Sequence, residues 1–165
     1  MTTIERSEPP YETDERTMLL GWLDYHRATL AVKCEGLSDD QLRMRAVPPS
    51  DLSLLGLVRH MAEVENNWFR FWLGGQGPIV RYEGDEDFAV EGADVAEAFD
   101  YWRQECEHAR EVVATFASLD DVGAGQTVGA GISLRWSLTH MIEEYARHNG
   151  HADLLREVID GATGD

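Results

Sequence analysis

The sequence predicts an all-α protein that folds as a four-helix bundle. Four long segments carry apolar residues at helical spacing, and no segment alternates apolar and polar residues as a half-buried strand does. Residues that cap or end helices lie between the four segments. Amphipathic helices without strands bury their apolar stripes against one another. We expect residues 1–12 to form a flexible N-terminal arm and residues 13–165 to form a single bundle domain.

The first helix is predicted over residues 13–35, where apolar side chains recur every three or four residues. These side chains are Leu19, Leu20, Trp22, Leu23 and Leu30. Gly36 follows at the position where glycine commonly ends a helix. Ser38 and Gln41 have the spacing of a reciprocal helix cap, so one short helical turn should follow before a pair of prolines ends it.

Three further helices are predicted over residues 52–73, 94–118 and 133–160. In the helix predicted over residues 94–118, the apolar residues alternate steps of three and four, as they do along the seam of a bundle. Residues 79–92 and 120–131 lack an apolar period and are predicted to be loops. Both loops are long enough to allow connections that cross over the bundle.

Charge and composition exclude several classes of partner. The 31 acidic and 14 basic residues give a net charge of −17. Such a surface repels phosphate backbones and anionic lipids, so we expect no binding to nucleic acid or membranes. Apolar runs are too short to span a bilayer, and the N-terminus lacks the apolar region of a secretory signal, which favours the cytoplasm. Cys34 and Cys106 are far apart in sequence and fit buried free thiols.

The fourth helix directs a carboxylate and an imidazole towards its buried side. At about 100° per residue, His148 lies within the apolar arc and Glu144 lies on its shoulder. A divalent cation would offset the cost of burying the carboxylate, and His60 on the apolar face of the second helix is a candidate third ligand. His26 on the first helix also fits an inward position. Three ligands leave an open coordination position, as in catalytic sites. A metal-free hydrogen bond between Glu144 and His148 fits the spacing equally well.

The remaining titratable candidates have simpler interpretations. His108, His140 and His151 fit helix caps or surface positions. Glu63 and Glu65 fit solvated positions better than catalytic ones.

The aromatic and acidic clusters also have simple interpretations. Trp68, Phe71 and Trp72 fit the core better than a ligand pocket. Asn67, beside the His60 face, fits either a pocket wall or a local cap. The acidic segment 83–88 lacks the spacing of a calcium loop and is predicted to be a solvated loop.

Two stretches of the sequence resemble the DinB-like superfamily of bacterial metal-binding four-helix bundles. They are 36-GLSDDQLRMRAVPPSDLSLLGLVRHMAEVENNWFR-70 and 144-EYARHNGHADLLRE-157. The most similar branch contains DinB-domain proteins and the metal domain of mycothiol-dependent maleylpyruvate isomerases. The resemblance implies a bundle with crossover connections, often assembled as a homodimer. The metal histidine on the superfamily's second helix matches His60, and the two ligands four residues apart on its last helix match Glu144 and His148.

The resemblance also implies a chemistry. A divalent metal, zinc first and nickel as the alternative, would activate a small thiol of the mycothiol type for S-transfer. The isomerases have an additional C-terminal domain, whereas this chain ends just past its fourth helix, so isomerisation is less expected than S-transfer. Hydrolysis is likewise a less favoured alternative. A non-catalytic bundle that binds a metal or a small molecule is the alternative, and a metal-free structural bundle is a third hypothesis.

Several residues are predicted to surround the metal. His140 or His151 could orient a ligand through a hydrogen bond. The candidates for lining a substrate pocket are His26, Asn67, Trp68 and Tyr145.

Overall fold

The computed structural model describes residues 6–77, 79–125 and 131–164. Residues 1–5 of the predicted arm and residues 126–130 of the predicted second loop lie outside the described residues. Within the arm, Pro9 is buried against α-helical Gly21, where an added Cβ atom would lie 2.6 Å from the Pro9 Cβ. The division of the chain into an arm and a single domain stays a prediction.

The all-α fold class is confirmed, because the described residues contain five α-helices and no β-strand. The helices are α1 (Glu15–Cys34), α2 (Asp39–Arg43), α3 (Leu54–Glu65), α4 (Val95–Ala114) and α5 (Leu134–Asp160). The side chain of the residue before each helix accepts a hydrogen bond from a backbone N–H of the first turn. In α2 the predicted reciprocal cap between Ser38 and Gln41 is present. Among the described residues, no helix combines the length and apolar character that crossing a membrane requires.

The second predicted helix changes its geometry half-way along its length. After α3 the chain continues without a break as a π-helix over Asn66–Leu73. The backbone N–H groups of Ala124 and Gly125 donate to the carbonyls of Leu73 and Trp72 at its end. A Cβ on Gly125 would lie 2.6 Å from the Trp72 carbonyl oxygen, so the loop can approach this closely only with glycine there. π-Helical segments are rare and are frequently found at functional sites.

The helices are not packed in sequential order. α1 packs mainly against α5, and α3 packs mainly against α4 and also against α5. Among the long helices, α1 shares few contacts with α3, the next one in sequence, and α4 shares few contacts with α5. The chain therefore crosses the bundle twice, in agreement with the predicted crossover connections.

A polar network lies inside the apolar core. Arg27 on α1 donates two hydrogen bonds of 2.7 Å to the carboxylate of Glu65 on α3. Tyr145 on α5 donates to the same carboxylate at 2.7 Å and accepts from the Trp102 indole of α4 at 2.8 Å. Glu65 is fully buried, so the prediction that it is solvated is wrong. Sequence spacing did not reveal that an arginine from another helix would neutralise it.

The expectation for the two cysteines is confirmed. Both Cys34 and Cys106 are buried and free. The Cys106 sulfur lies 3.6 Å from a Glu65 oxygen and 3.7 Å from the Tyr145 hydroxyl, so it borders the polar network.

Candidate metal centre

The three predicted ligands meet where α3 packs against α5. His60 lies on α3, and Glu144 and His148 lie one turn apart on α5. The His60 and His148 rings are 4.8 Å apart between centroids and meet edge to face. Further along the same helix pair, Trp68 contacts Trp136 and His140. Higher numbers on one helix thus face lower numbers on the other, so the two helices run antiparallel.

The ligand atoms of the three residues are close enough to share one cation. One atom from each of His60, Glu144 and His148 lies within 4.8 Å of the other two. Three atoms at such separations have a common point no more than about 2.8 Å from each, compared with about 2.0–2.2 Å for zinc bonds to nitrogen and oxygen. Side-chain movements of less than an ångström would close that difference, so the residues fit a divalent cation. The Glu144 Oε2 and His148 Nε2 atoms are already 3.4 Å apart.

Asp87 fixes the orientation of the His60 ring. Its Oδ2 atom lies 2.8 Å from His60 Nδ1, and the Phe88 ring is stacked on the His60 ring at a centroid distance of 5.2 Å. A carboxylate is an acceptor, so this contact favours the His60 tautomer with its proton on Nδ1, which leaves the Nε2 lone pair for a metal. Metal-binding histidines almost always carry such an outer partner.

The prediction that residues 83–88 form a solvated loop is wrong at its end. Glu86–Phe88 form a short 3₁₀-helix in which Asp87 is only 6% exposed. The apolar neighbour Phe88 was the one sequence signal that the end of this acidic segment packs against the core. No spacing rule links Asp87 to His60, because the two lie 27 residues apart.

His148 is held in the form that binds metals. Burial, and then the proximity of His60 and His151, lowers the pKa of His148 to about 4. Its imidazole is therefore neutral at pH 7, as metal coordination requires. Its Nδ1 lies 3.4 Å from the Nδ1 of His151, so His151 is placed as an outer contact.

A second group of potential metal ligands adjoins the first, but an arginine side chain already lies beside its carboxylates. His140, Glu143 and Glu144 also bring ligand atoms within 4.8 Å of one another. However, Arg147 pairs with Glu143 and lies 3.8 Å from Glu144, so a cation is already present beside these carboxylates. His140 contacts Glu144 at 3.6 Å and is thus placed to orient it.

The remaining candidates are divided between the site and the core. Asn67 and Trp68 line a cavity of about 300 Å³, and His60 is also part of its lining. His26 instead lies beside Asn149, whose amide donates to the His26 carbonyl oxygen at 3.0 Å, and it is not part of the ligand cluster. Tyr145 is fully buried in the polar network, so it does not line an open pocket as predicted.

The cavity beside His60 has a polar wall. It includes Glu63, whose pKa is raised by burial, and Tyr82, whose buried hydroxyl has no hydrogen-bond partner among the described residues. Asp87 and His60 also line this cavity. The space could hold a small polar substrate directly beside a metal ligand.

Comparison with known proteins decides the family. The family model described as "Mycothiol-S-transferase" matches residues 18–161, which include both helices of the candidate metal centre. The chain belongs to the mycothiol-S-transferase family. This is a DinB-like family, as the resemblance implied. No curated protein matches the sequence.

A solved structure shares the fold of this mycothiol-S-transferase family member. It is the crystal structure of a "conserved protein of locus from Enterococcus faecalis". The match covers 92% of this chain and 100% of that chain, with a TM-score of 0.65 and 13% sequence identity. At that identity the likeness supports the fold alone.

The family member also contains a larger cavity away from the ligands. It measures about 650 Å³ and lies between α1 and α4, where Arg27 and Arg110 line it. Arg27 is paired with Glu65, and Arg110 is paired with Asp24 and with Glu107, so neither arginine has a free charge for a ligand. The smaller cavity beside His60 is therefore the better candidate for chemistry.

Proposed function

We propose that this protein is a metal-dependent S-transferase that uses a small thiol of the mycothiol type. A divalent cation, zinc first and nickel as the alternative, is held by His60, Glu144 and His148. The single observation that carries the proposal is the convergence of these three ligand atoms within 4.8 Å of one another. The family match supports a thiol of the mycothiol type as the co-substrate.

The ligand set favours catalysis over a purely structural role. Structural zinc sites are closed by four protein ligands, usually including cysteine, whereas catalytic sites keep a position for substrate. Among the described residues the cluster contains three potential ligands and no cysteine. The cavity beside His60 gives a substrate access to that side of the cluster.

The residues around the cluster favour the binding of a cation that can activate a thiol. When bound, the cation lowers the pKa of a thiol and so supplies a nucleophile at neutral pH. Asp87 holds the proton of His60 on Nδ1, and burial keeps His148 neutral. In S-transfer the thiol gives up its proton to solvent, its sulfur forms a bond to an electrophilic carbon, and the leaving group departs with the electron pair of the broken bond.

Metal analysis tests the first half of the proposal. The wild-type protein, His60→Ala and His26→Ala are purified in parallel, dialysed against zinc, and analysed for bound metal. We expect about one zinc per chain in the wild type and in His26→Ala, and a large loss in His60→Ala. His26→Ala is the matched control, because it removes a half-buried histidine outside the cluster. Full zinc occupancy in His60→Ala, or none in the wild type, would exclude the proposed site.

A thiol assay tests the second half. Zinc-loaded protein is incubated with mycothiol and a chromogenic electrophile, and adduct formation is compared with that of metal-free protein and of His60→Ala. The proposal requires adduct formation that depends on both zinc and His60. Stoichiometric zinc without adduct formation would instead favour the non-catalytic metal-binding bundle.

Assembly and location are also part of the proposal. The family resemblance implies a homodimer, which light scattering on the purified protein would test. The cytoplasmic location stays a prediction from the sequence, and fractionation of cells that make the protein would test it.

A further inference from the structure

An aromatic surface continues from the candidate metal centre along α3 and α5. Trp68 lies 4.9 Å from Trp136 and 4.5 Å from His140 between ring centroids. The His140 ring is stacked on Trp136 at 5.0 Å with an interplanar angle of 20°. We call these three residues the aromatic shelf.

The shelf is in line with the metal ligands. On α5, Trp136, His140, Glu144 and His148 are spaced four residues apart and so form one stripe. At 1.5 Å per residue, His140 is about 6 Å and Trp136 about 12 Å from Glu144 along the helix axis. His60 and Trp68 lie on the facing α3 and its π-helical continuation.

The shelf is open to solvent and has polar edges. Trp136 is 49% exposed and adjoins the rings of Trp68 and His140, so the exposed surface is an aromatic patch and not a single side chain. Glu143 is exposed and lies 3.7 Å from His140, and the exposed Arg147 pairs with Glu143. Asn67 is exposed next to Trp68. An aromatic floor with hydrogen-bonding groups at its edge suits a ring that is apolar on its faces and polar around its rim.

We infer that the aromatic shelf binds the sugar portion of the thiol substrate, an inference that rests on the proposed function. The C–H groups on the face of a sugar ring are weakly positive and match the negative face of an indole, while carboxylate, guanidinium and amide groups bond the hydroxyls. Mycothiol joins its cysteinyl thiol to an amino sugar and an inositol, so its sugar is separated from its sulfur by the cysteinyl arm.

Distance favours the sugar over the electrophile as the occupant. The electrophilic carbon must approach the sulfur to about 3–3.5 Å for reaction, so it has to lie next to the metal ligands. The shelf begins about 6 Å from Glu144 and extends to about 12 Å. The sulfur and the sugar of one thiol molecule can occupy the metal centre and the shelf together, and the cavity beside His60 remains for the electrophile.

Calorimetry with two thiols tests the inference by binding instead of turnover. Zinc-loaded wild type, Trp136→Ala and Trp136→Phe are titrated with mycothiol and with N-acetylcysteine, which has the thiol and no sugar. We expect Trp136→Ala to weaken mycothiol binding about ten-fold and to leave N-acetylcysteine unchanged, and Trp136→Phe to restore most of the affinity. Leu154→Ala is the matched control, because Leu154 is also exposed on α5, at 58%, and lies outside the shelf. The control should bind both thiols as the wild type does.

The outcomes separate this inference from the proposed function. If Trp136→Ala binds mycothiol like the wild type, the shelf does not bind the sugar, while zinc-dependent binding of N-acetylcysteine still supports the metal–thiol proposal. If both thiols weaken equally, Trp136 acts through His140 on the metal centre and the inference is wrong. If N-acetylcysteine binds equally well without zinc, the proposed function fails, whatever the shelf does.

Discussion

Asp87 offers the sharpest test of how the candidate metal centre is organised. Its carboxylate is nearly buried, with a side chain 9% exposed, and it contacts His60 at 2.8 Å through Oδ2. Its other oxygen, Oδ1, accepts a hydrogen bond from the backbone N–H of Phe88 at 3.0 Å. Both acceptors are therefore in use, and each variant at this position changes the protonation of His60 in a defined way.

The variants Asp87→Ala and Asp87→Asn separate charge from tautomer. Alanine removes the acceptor, so the His60 proton can occupy either ring nitrogen. Asparagine must keep its oxygen towards the Phe88 N–H, so its amide N–H₂ faces His60 and favours the proton on Nε2, the nitrogen needed for metal. Loss of such an outer partner typically costs ten- to a hundred-fold in metal affinity, or about 1.4–2.7 kcal/mol. We expect about ten-fold for Asp87→Ala and about a hundred-fold for Asp87→Asn.

Competition with a chromophoric zinc chelator at pH 7.5 measures these affinities. Asp85→Asn is the matched control, because it makes the same charge change two residues away, at an exposed position that does not contact His60. An Asp87→Asn protein that binds zinc more tightly than Asp87→Ala would refute the tautomer reasoning. An equal loss in Asp85→Asn would show that only the general negative field matters.

Three further predictions concern the core. Glu65→Ala leaves the buried Arg27 with only the exposed Asp24 as an ionic partner, so the free energy of unfolding in urea should fall by about 3–5 kcal/mol. Tyr145→Phe removes one donor from the same carboxylate and one acceptor from an indole, so unfolding should cost about 1–3 kcal/mol less and zinc should bind more weakly. Burial raises the pKa of Cys34 to about 12 and also raises the pKa of Cys106, so neither native thiol should react with iodoacetamide at pH 8, as mass spectrometry would detect.

Controls for these predictions are available in the same chain. Glu107→Ala removes an exposed carboxylate that pairs with Arg110, and it should change stability by less than about 1 kcal/mol. A loss as large as that of Glu65→Ala would mean that burial is not the cause. For the cysteines, alkylation in urea should modify both thiols, and rapid alkylation of the native protein would contradict the burial argument.

Local signals were sufficient to predict the helices. Each long helix begins within about two residues of its predicted start, because a short polar side chain there satisfies the free N–H groups of the first turn. Gly36 and Gly161 follow helices with φ values of +79°, the conformation that glycine permits at a helix end. The third predicted helix ran four residues too far, to 118 instead of Ala114, because its apolar period persists past the last hydrogen-bonded turn.

Long-range partners could not be predicted in the same way. The placement of His60, Glu144 and His148 on apolar helix faces indicated that they point inward, and the family resemblance paired them. Nothing in helical spacing indicated that Glu65 would bind Arg27, which is 38 residues away. Such contacts depend on how helices pack across the bundle, whereas periodicity reports only which face of each helix is buried.

The polar network and the candidate metal centre both include residues of α3 and α5. Tyr145 follows Glu144 in sequence, so the two side chains point about 100° apart on α5, one to the network and the other to the metal cluster. The 2.7 Å hydrogen bond from Tyr145 to Glu65 connects α5 to α3 close to the place where His60 and Glu144 approach each other. A metal ligand set is useful only when its helices are fixed to within a fraction of an ångström. We therefore expect the buried Glu65 carboxylate to support the candidate metal centre without touching it, and Tyr145→Phe to weaken zinc binding as well as folding. If that variant lost stability and kept wild-type zinc affinity, the two clusters would be independent.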